Sequence, residues 1–164
     1  MVLVYDLCVR ALGIDYGRRR IGLALSDPTG LLARPWKTIA ATAPAGPSRV
    51  AATLAAEIAA LVAEQDGLSA VALGYPRKLN GEPNEQTAAV EMFAALLRRL
   101  VSVPVVLQDE RLSSREAERM LARSEKDWRK RKPLLDAASA AVILQDYLDA
   151  QFRPASHPSE GDNL

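Results

Sequence analysis

A chain of 164 residues, 49% of them apolar, is long enough to bury one core without help from disulfides. A single cysteine, Cys8, and a single histidine, His157, exclude disulfide frameworks, zinc clusters, Cys-His nucleophiles and Ser-His-Asp triads. A net charge of +1 gives no global attraction to nucleic acid. With no apolar run near the ~18 residues of a membrane span, and no basic leader in the first ten residues, a cytoplasmic location away from membranes is expected.

In chain order, Cys8 to Ile14 is a mostly apolar run ending at Asp15, and Ile21, Leu23 and Leu25 alternate with Gly22, Ala24 and Ser26. These predict two strands joined through Tyr16-Gly17-Arg18-Arg19 as an antiparallel hairpin, with Asp15 near its tip. Ala33 to Ile39 predicts a third strand, kept to an edge because Pro35 cannot donate to a ladder, and Pro44-Ala45-Gly46-Pro47 reads as a loop. Val50, Leu54, Ile58, Leu61 and Val62 follow helical spacing up to Asp66-Gly67. Ala70 to Leu73 is a buried strand, and a strand-helix-strand order implies a parallel crossover beside the first strand.

A second helix is marked by Val90, Phe93, Leu97 and Leu100, then a strand over Val103 to Gln108 leads into Asp109-Glu110-Arg111. Ser113-Ser114-Arg115-Glu116 matches a capping box for a short basic helix to about Arg123. Residues 124–133 read as charged and irregular, Asp136 to Leu148 as a helix, and everything from Phe152 as a disordered tail. The fold class is therefore α/β, a mixed five-stranded sheet with its first three strands antiparallel and the rest parallel, and helices on both faces. Ligands in such sheets gather at the carboxyl ends of the parallel strands, where Asp15 and the Asp109-Glu110 pair fall.

Positions 136, 140, 143, 144 and 147 share one helical face, and four of them are Ala, Ile, Leu and Tyr. Asp136 therefore belongs to the buried side, where an unpaired carboxylate costs several kcal/mol unless it meets a cation, a donor or a metal, although an aspartate there can also cap the helix. Ala137, Ala140 and Ala141 would let this helix approach the sheet and bring Asp136 towards Asp15. Asp15 alone reads equally well as a turn residue. Alternation lets only one of Asp109 and Glu110 face the first strand. Acids from three separated segments converging at one sheet end are the ligand set of hard divalent ions. Two such ions about 4 Å apart would support in-line hydrolysis of a phosphodiester.

Leu12-Gly13-Ile14-Asp15-Tyr16-Gly17 with Arg20-Ile21-Gly22-Leu23-Ala24-Leu25-Ser26-Asp27 resembles the opening signature of the YqgF family, also called RuvX. Further blocks resemble that family in the right order: Ala72 to Pro76 with Asn80-Gly81 and Glu85-Gln86-Thr87; Asp109 to Ser114 with Ala117-Glu118; and Leu135 to Ala141 with Ile143-Leu144-Gln145. The resemblance implies an RNase H-like fold over residues 1–151, with 1–8 outside the family pattern and 152–164 as tail. It implies a nuclease that processes pre-16S rRNA or resolves Holliday junctions, with Asp15, Glu110 and Asp136 as catalytic acids binding Mg2+ or Mn2+. Tyr75 replaces a more usual Leu, and Arg77-Lys78 is more basic than the family pattern.

Clustered charge supplies the expected nucleic-acid contacts. Arg18, Arg19 and Arg20 lie beside Asp15, Arg77 and Lys78 after a parallel strand, and Arg111 and Arg115 around the capping box, with Arg119 and Arg123 further along. Trp128, Arg129, Lys130, Arg131 and Lys132 precede Asp136 and combine phosphate-neutralising charge with a ring on which a base can stack. The expected partner is structured RNA or branched DNA, met by a monomer or a homodimer. Two alternatives stand: an ATP-binding sugar-kinase or actin-like domain, whose phosphate hairpin also reads Gly-Ile-Asp-x-Gly, and a nucleic-acid-binding module without catalysis.

Overall fold

The computed structural model describes residues 10–41, 46–78, 80–110, 117, 119, 122–123, 126–131 and 134–151. Five strands form one sheet: β1 (Arg10–Tyr16), β2 (Arg20–Ser26), β3 (Ala33–Ala40), β4 (Leu68–Tyr75) and β5 (Val105–Asp109), in the order β3-β2-β1-β4-β5. The first three pair antiparallel, and β4 and β5 join parallel to β1, as the sequence pattern predicts. Helices α1 (Gly46–Ala63) and α2 (Thr87–Leu100) cover one face, and α4 (Leu135–Gln151) covers the other; α3 (Trp128–Arg131) is a single turn just before α4. The N-terminal extension, the capping box at 113–116 and the tail from 152 lie outside the described residues.

The two faces of the sheet differ in bulk because of strict alternation. Leu12, Ile14, Ile21, Leu23, Val71 and Leu73 point to the α1/α2 side and pack with Leu54, Ile58, Phe93 and Leu97. Their neighbours Ala11, Gly13, Gly22, Ala24, Ala72 and Gly74 face α4, whose own contribution includes Ala140, Ala141, Leu144 and Leu148. Small residues on both partners let the helix lie almost on the sheet backbone. A Cβ at Gly13 would stand 2.6 Å from the Ala140 carbonyl oxygen, and one at Gly22 would overlap the Asp136 carbonyl.

Several boundaries differ from the sequence pattern. α1 starts at Gly46, so Gly46-Pro47 form its first turn and not the loop expected there, consistent with the tolerance of that turn for proline. β5 begins after Pro104 and runs to Asp109, leaving Val103 outside it. Leu100 and Val62, expected on buried helical faces, are mostly or partly exposed because each sits at the end of its helix. The stretch expected to be irregular contains α3, because Asp127 accepts the Arg129 N–H through Oδ1 at 2.9 Å and so caps the turn. β3 is an edge strand, as Pro35 requires, and bulges at Trp36 between the Lys37 and Pro35 pairings.

Among the described residues α1 is long and apolar enough, by length and composition, to cross a membrane, which departs from the expectation that no segment comes near that length. Its Val50, Ala51, Leu54, Ile58 and Leu61 are buried against the sheet, and its Glu57 pairs with Lys37 of β3 at 2.8 Å. Its apolar face is that of a core helix.

The close approach of α4 predicts the response to one added methyl group. Gly22→Ala forces backbone apart from backbone, so the variant should lose at least about 2 kcal/mol, the upper part of the range for overpacked sites, as read from urea denaturation. An unchanged midpoint would mean that α4 is not seated on β2.

Candidate active site

Asp15 stands on β1 directly across from Gly22 of β2, two residues beyond Gly13, and so shares the face on which α4 lies. The hairpin then turns within Gly17–Arg19, closed by the Gly17 amide donating to the Arg20 carbonyl at 3.0 Å. Asp136 is the second residue of α4, following Leu135, and its main chain crosses Gly22. The same missing side chain that seats the helix therefore places Asp136 next to Asp15.

Burial, and secondarily the neighbouring Asp136 charge, push the Asp15 carboxyl up to about 6 from its ordinary 3.8. The Asp136 side chain is about one-quarter exposed, but its Oδ2 is shielded from solvent and accepts no hydrogen bond. Arg20 Nε lies 2.9 Å from that oxygen, close enough for an ion pair yet out of line for a hydrogen bond. Asp136 thus sits inside its helix, and this oxygen does no capping.

Glu110 and Asp109 separate cleanly by register. Asp109 pairs with Tyr75, whose hydroxyl donates to Glu91 of α2 at 2.5 Å, so Asp109 belongs to the α2 side. The Glu110 amide donates to the Tyr75 carbonyl at 3.2 Å, and its carboxylate lies over Gly74 beside Ile143 of α4; a Cβ at Gly74 would be 2.7 Å from Glu110 Oε2. Glu110 is therefore on the same face as Asp15 and Asp136, at the end of β5 with its carboxylate reaching over β4. Among the described residues no three acids, histidines or cysteines already converge on a single metal position. The pair Asp15 and Asp136 is juxtaposed, and Glu110 approaches from the end of β5 across β4.

The donor chemistry fits a hard divalent cation: two adjoining carboxylates, one of them with a buried oxygen lacking a hydrogen-bond partner and the other made harder to ionise by burial and, secondarily, by its neighbour's charge. A divalent ion would satisfy both. Such residues are costly in a folded protein unless a cation repays them.

The basic residues do not form one patch. Arg18 is mostly exposed and pairs with Glu85 Oε2 at 3.3 Å, beside a cavity of about 340 Å3 lined by Tyr16, Gly17, Gln86 and Ala89. Arg19 is exposed, and Arg20 is committed to Asp136. Arg77 lies over the Tyr75 ring, 4.8 Å from its centroid, and is thereby held towards α2; Lys78 is exposed on the same loop. Arg129 and Lys130 are exposed on α3 and Arg131 is half-buried, while Trp128 opens that turn. Arg111, Arg115 and Lys132 lie outside the described residues.

Two positions carry roles that the residue pattern alone leaves unassigned. Thr87 is buried at the start of α2, donates to the Pro76 carbonyl at 2.9 Å and accepts from the Asn84 amide, so it ties the loop after β4 to the helix. Gln145 on α4 accepts from the Ala33 amide and donates to the Leu31 carbonyl, both at 2.9 Å, and so pins β3 to the helix carrying Asp136. A hydroxyl at a helix start is the signal that marks Thr87; Gln145 offers none for its hold on β3, since the two partners there are main chain more than 100 residues away.

A family model described as "RuvX: Holliday junction resolvase" matches residues 9–150. The chain belongs to the RuvX family. A relative from Geobacillus kaustophilus, described as "Putative pre-16S rRNA nuclease", is 39% identical over 143 residues, 87% of this chain and 99% of its own. One of the same description from Chloroflexus aggregans is 43% identical over 143 residues, covering 87% and 95%. RuvC of Thermus thermophilus in complex with a Holliday junction substrate is similar in structure, with a TM-score of 0.52 at 19% identity over 87% of this chain and 95% of that one. The manganese-soaked nuclease domain of human cytomegalovirus terminase gives 0.60 at 13% identity, over 93% and 91%. These two likenesses speak for the fold, which is RNase H-like. RuvX proteins are nucleases, hydrolases of phosphodiester bonds.

The strain at Asp15 has a measurable pH signature. With the folded value near 6 and the ordinary one at 3.8, the folded protein binds the Asp15 proton more tightly than the unfolded chain. The contribution of Asp15 to stability is therefore greatest below pH ~4 and is lost as pH rises through ~6. In chelator, Asp15→Asn should be about 2–3 kcal/mol more stable than the parent at pH 8, with the gap closing by pH 4. A variant no more stable than the parent at pH 8 would rule out a strained Asp15.

Proposed function

We propose that this RuvX protein cuts structured nucleic acid with the help of Mg2+ or Mn2+ held by Asp15 and Asp136, with Glu110 as the third catalytic acid. The observation that carries the reading is the buried Asp136 Oδ2 without a hydrogen bond, set beside Asp15 at the carboxyl ends of β1 and β4. A divalent ion bound there would activate water and stabilise the departing oxygen at neutral pH, where this chain's own His and Cys cannot serve.

The chain's residues have distinct tasks. Asp15 and Asp136 supply anionic oxygens fixed by β1 and by the first turn of α4. Glu110, at the end of β5, lies where it can hold a second position or orient water. The exposed charges of Arg19, Lys78, Arg129 and Lys130 meet phosphates, which positions the strand without reading its sequence. Arg18 and Arg77 join them after leaving Glu85 and Tyr75, and Arg111, Arg115, Lys132 and the Trp128 ring complete the expected contacts.

The substrate we favour is a pre-16S rRNA end in ribosome assembly, because the relatives with 39% and 43% identity carry that description over nearly their whole length. A cytoplasmic location and a single-domain architecture over residues 1–151 accompany this reading. The second reading, a Holliday junction resolvase, draws on the description of the family model. Two scissile strands would then call for a homodimer, whereas trimming an rRNA end needs only a monomer.

Offering the protein a four-way DNA junction and a precursor rRNA end separates the two. The rRNA end should be cut in Mg2+ or Mn2+ and not in chelator. Asp15→Asn and Asp136→Asn should each bind it as the parent does while cleaving at least about a hundredfold more slowly. Cutting of the junction alone would transfer the function to the second reading, and full activity in Asp15→Asn would remove the acids from the mechanism.

A further inference from the structure

Arg20 and Asp136 make an unusual pair. Arg20 follows the hairpin turn on β2 and is two residues from Gly22, so its side chain leaves the sheet on the face where the first turn of α4 sits. Its guanidinium meets Asp136 side-on, through Nε at 2.9 Å, and the contact is out of line for a hydrogen bond. The strongest arginine–carboxylate bridges use two parallel N–H donors. The arginine side chain is 49% exposed, so water waits at its other end, whereas the oxygen it touches is sealed from solvent. A cation that can leave at low cost is thus parked on an oxygen that needs a cation.

We propose that Arg20 is a built-in competitor for the divalent ion: it neutralises Asp136 while the site holds no metal and withdraws towards solvent when the metal binds. The inference rests on the reading of Asp15 and Asp136 as metal ligands. It assigns Arg20 a positioning role, keeping Asp136 seated beside Asp15 before metal arrives, and makes the metal affinity of the protein a difference between two cations. The withdrawn guanidinium stays tethered at residue 20, next to the hairpin charges of Arg18 and Arg19, and adds to the surface available to a phosphate.

Titrating Mn2+ into the full chain without nucleic acid, by calorimetry or by the loss of free Mn2+ signal in electron paramagnetic resonance, tests this directly. Arg20→Ala and Arg20→Gln should both bind Mn2+ about two- to fivefold more tightly than the parent, the range set by an ion pair half open to solvent. Arg19→Ala removes the same charge one residue away and should change affinity much less, since exposed charges at a distance are screened. The Mn2+-induced rise in melting temperature should be larger in both Arg20 variants than in the parent. Equal affinity in the parent and both Arg20 variants, weaker binding in them, or tightening as large in Arg19→Ala, would each overturn the competition. Mn2+ binding by the parent that is absent, or indifferent to Asp136→Asn, would instead overturn the metal reading beneath it.

Discussion

Helix α4 rests on a strip of the sheet from which side chains are nearly absent, and the placement of the acids depends on that contact. Gly13 and Gly22 leave room for the carbonyls of Ala140 and Asp136, and Gly74 leaves room for the Glu110 carboxylate beside Ile143. Ordinary side chains on both partners would hold the helix further from the sheet. Here the sheet-facing alanines and glycines bring backbone to backbone, and the first turn of α4, crossing β2 at Gly22, delivers a carboxylate beside Asp15 on the adjoining β1.

The opposite face does the ordinary work of stability. Large apolar side chains from β1, β2 and β4 interdigitate with α1 and α2, and this core holds the strands in the register that aligns Asp15 with Gly22 and Tyr75 with Asp109. That division lets the thin face be spent on function. Its acids are desolvated and crowd one another, which raises the Asp15 carboxyl and leaves an Asp136 oxygen dependent on an arginine that approaches it badly. A site of this kind is destabilising by itself and is repaid by a bound cation.

Much of the framework is legible in the residues. Period-two alternation in β1 and β2, Pro35 at the edge, and the strand-helix-strand order give the sheet its topology, because local geometry and the handedness of crossovers leave few alternatives. Helical phase puts Asp136 on the buried side. Element ends were less legible: Gly46-Pro47 looks like a loop but starts a helix, and Leu100 looks buried but lies at an exposed end. Both depend on where neighbouring elements stop, which no local pattern records. Among the arginines expected to meet nucleic acid, Arg18, Arg20 and Arg77 each have a different partner, Glu85, Asp136 and the Tyr75 ring, which the residue pattern does not reveal.

The sequence by itself determined the strand order, the contrast between a bulky and a bare face, and the membership of the chain in a nuclease family, since these reside in alternation and in motifs read along the chain. It named Asp15 and Asp136 and, by family resemblance, Glu110, but alternation alone left Asp109 open, because facing depends on where β5 begins and on its register with β4. Only the tertiary structure decided that Glu110 shares the face of the other two acids, that Arg20 occupies Asp136, and that Gln145 pins β3 to α4. Each of these joins residues brought together by packing, and a contact between distant segments has no signature in either segment alone.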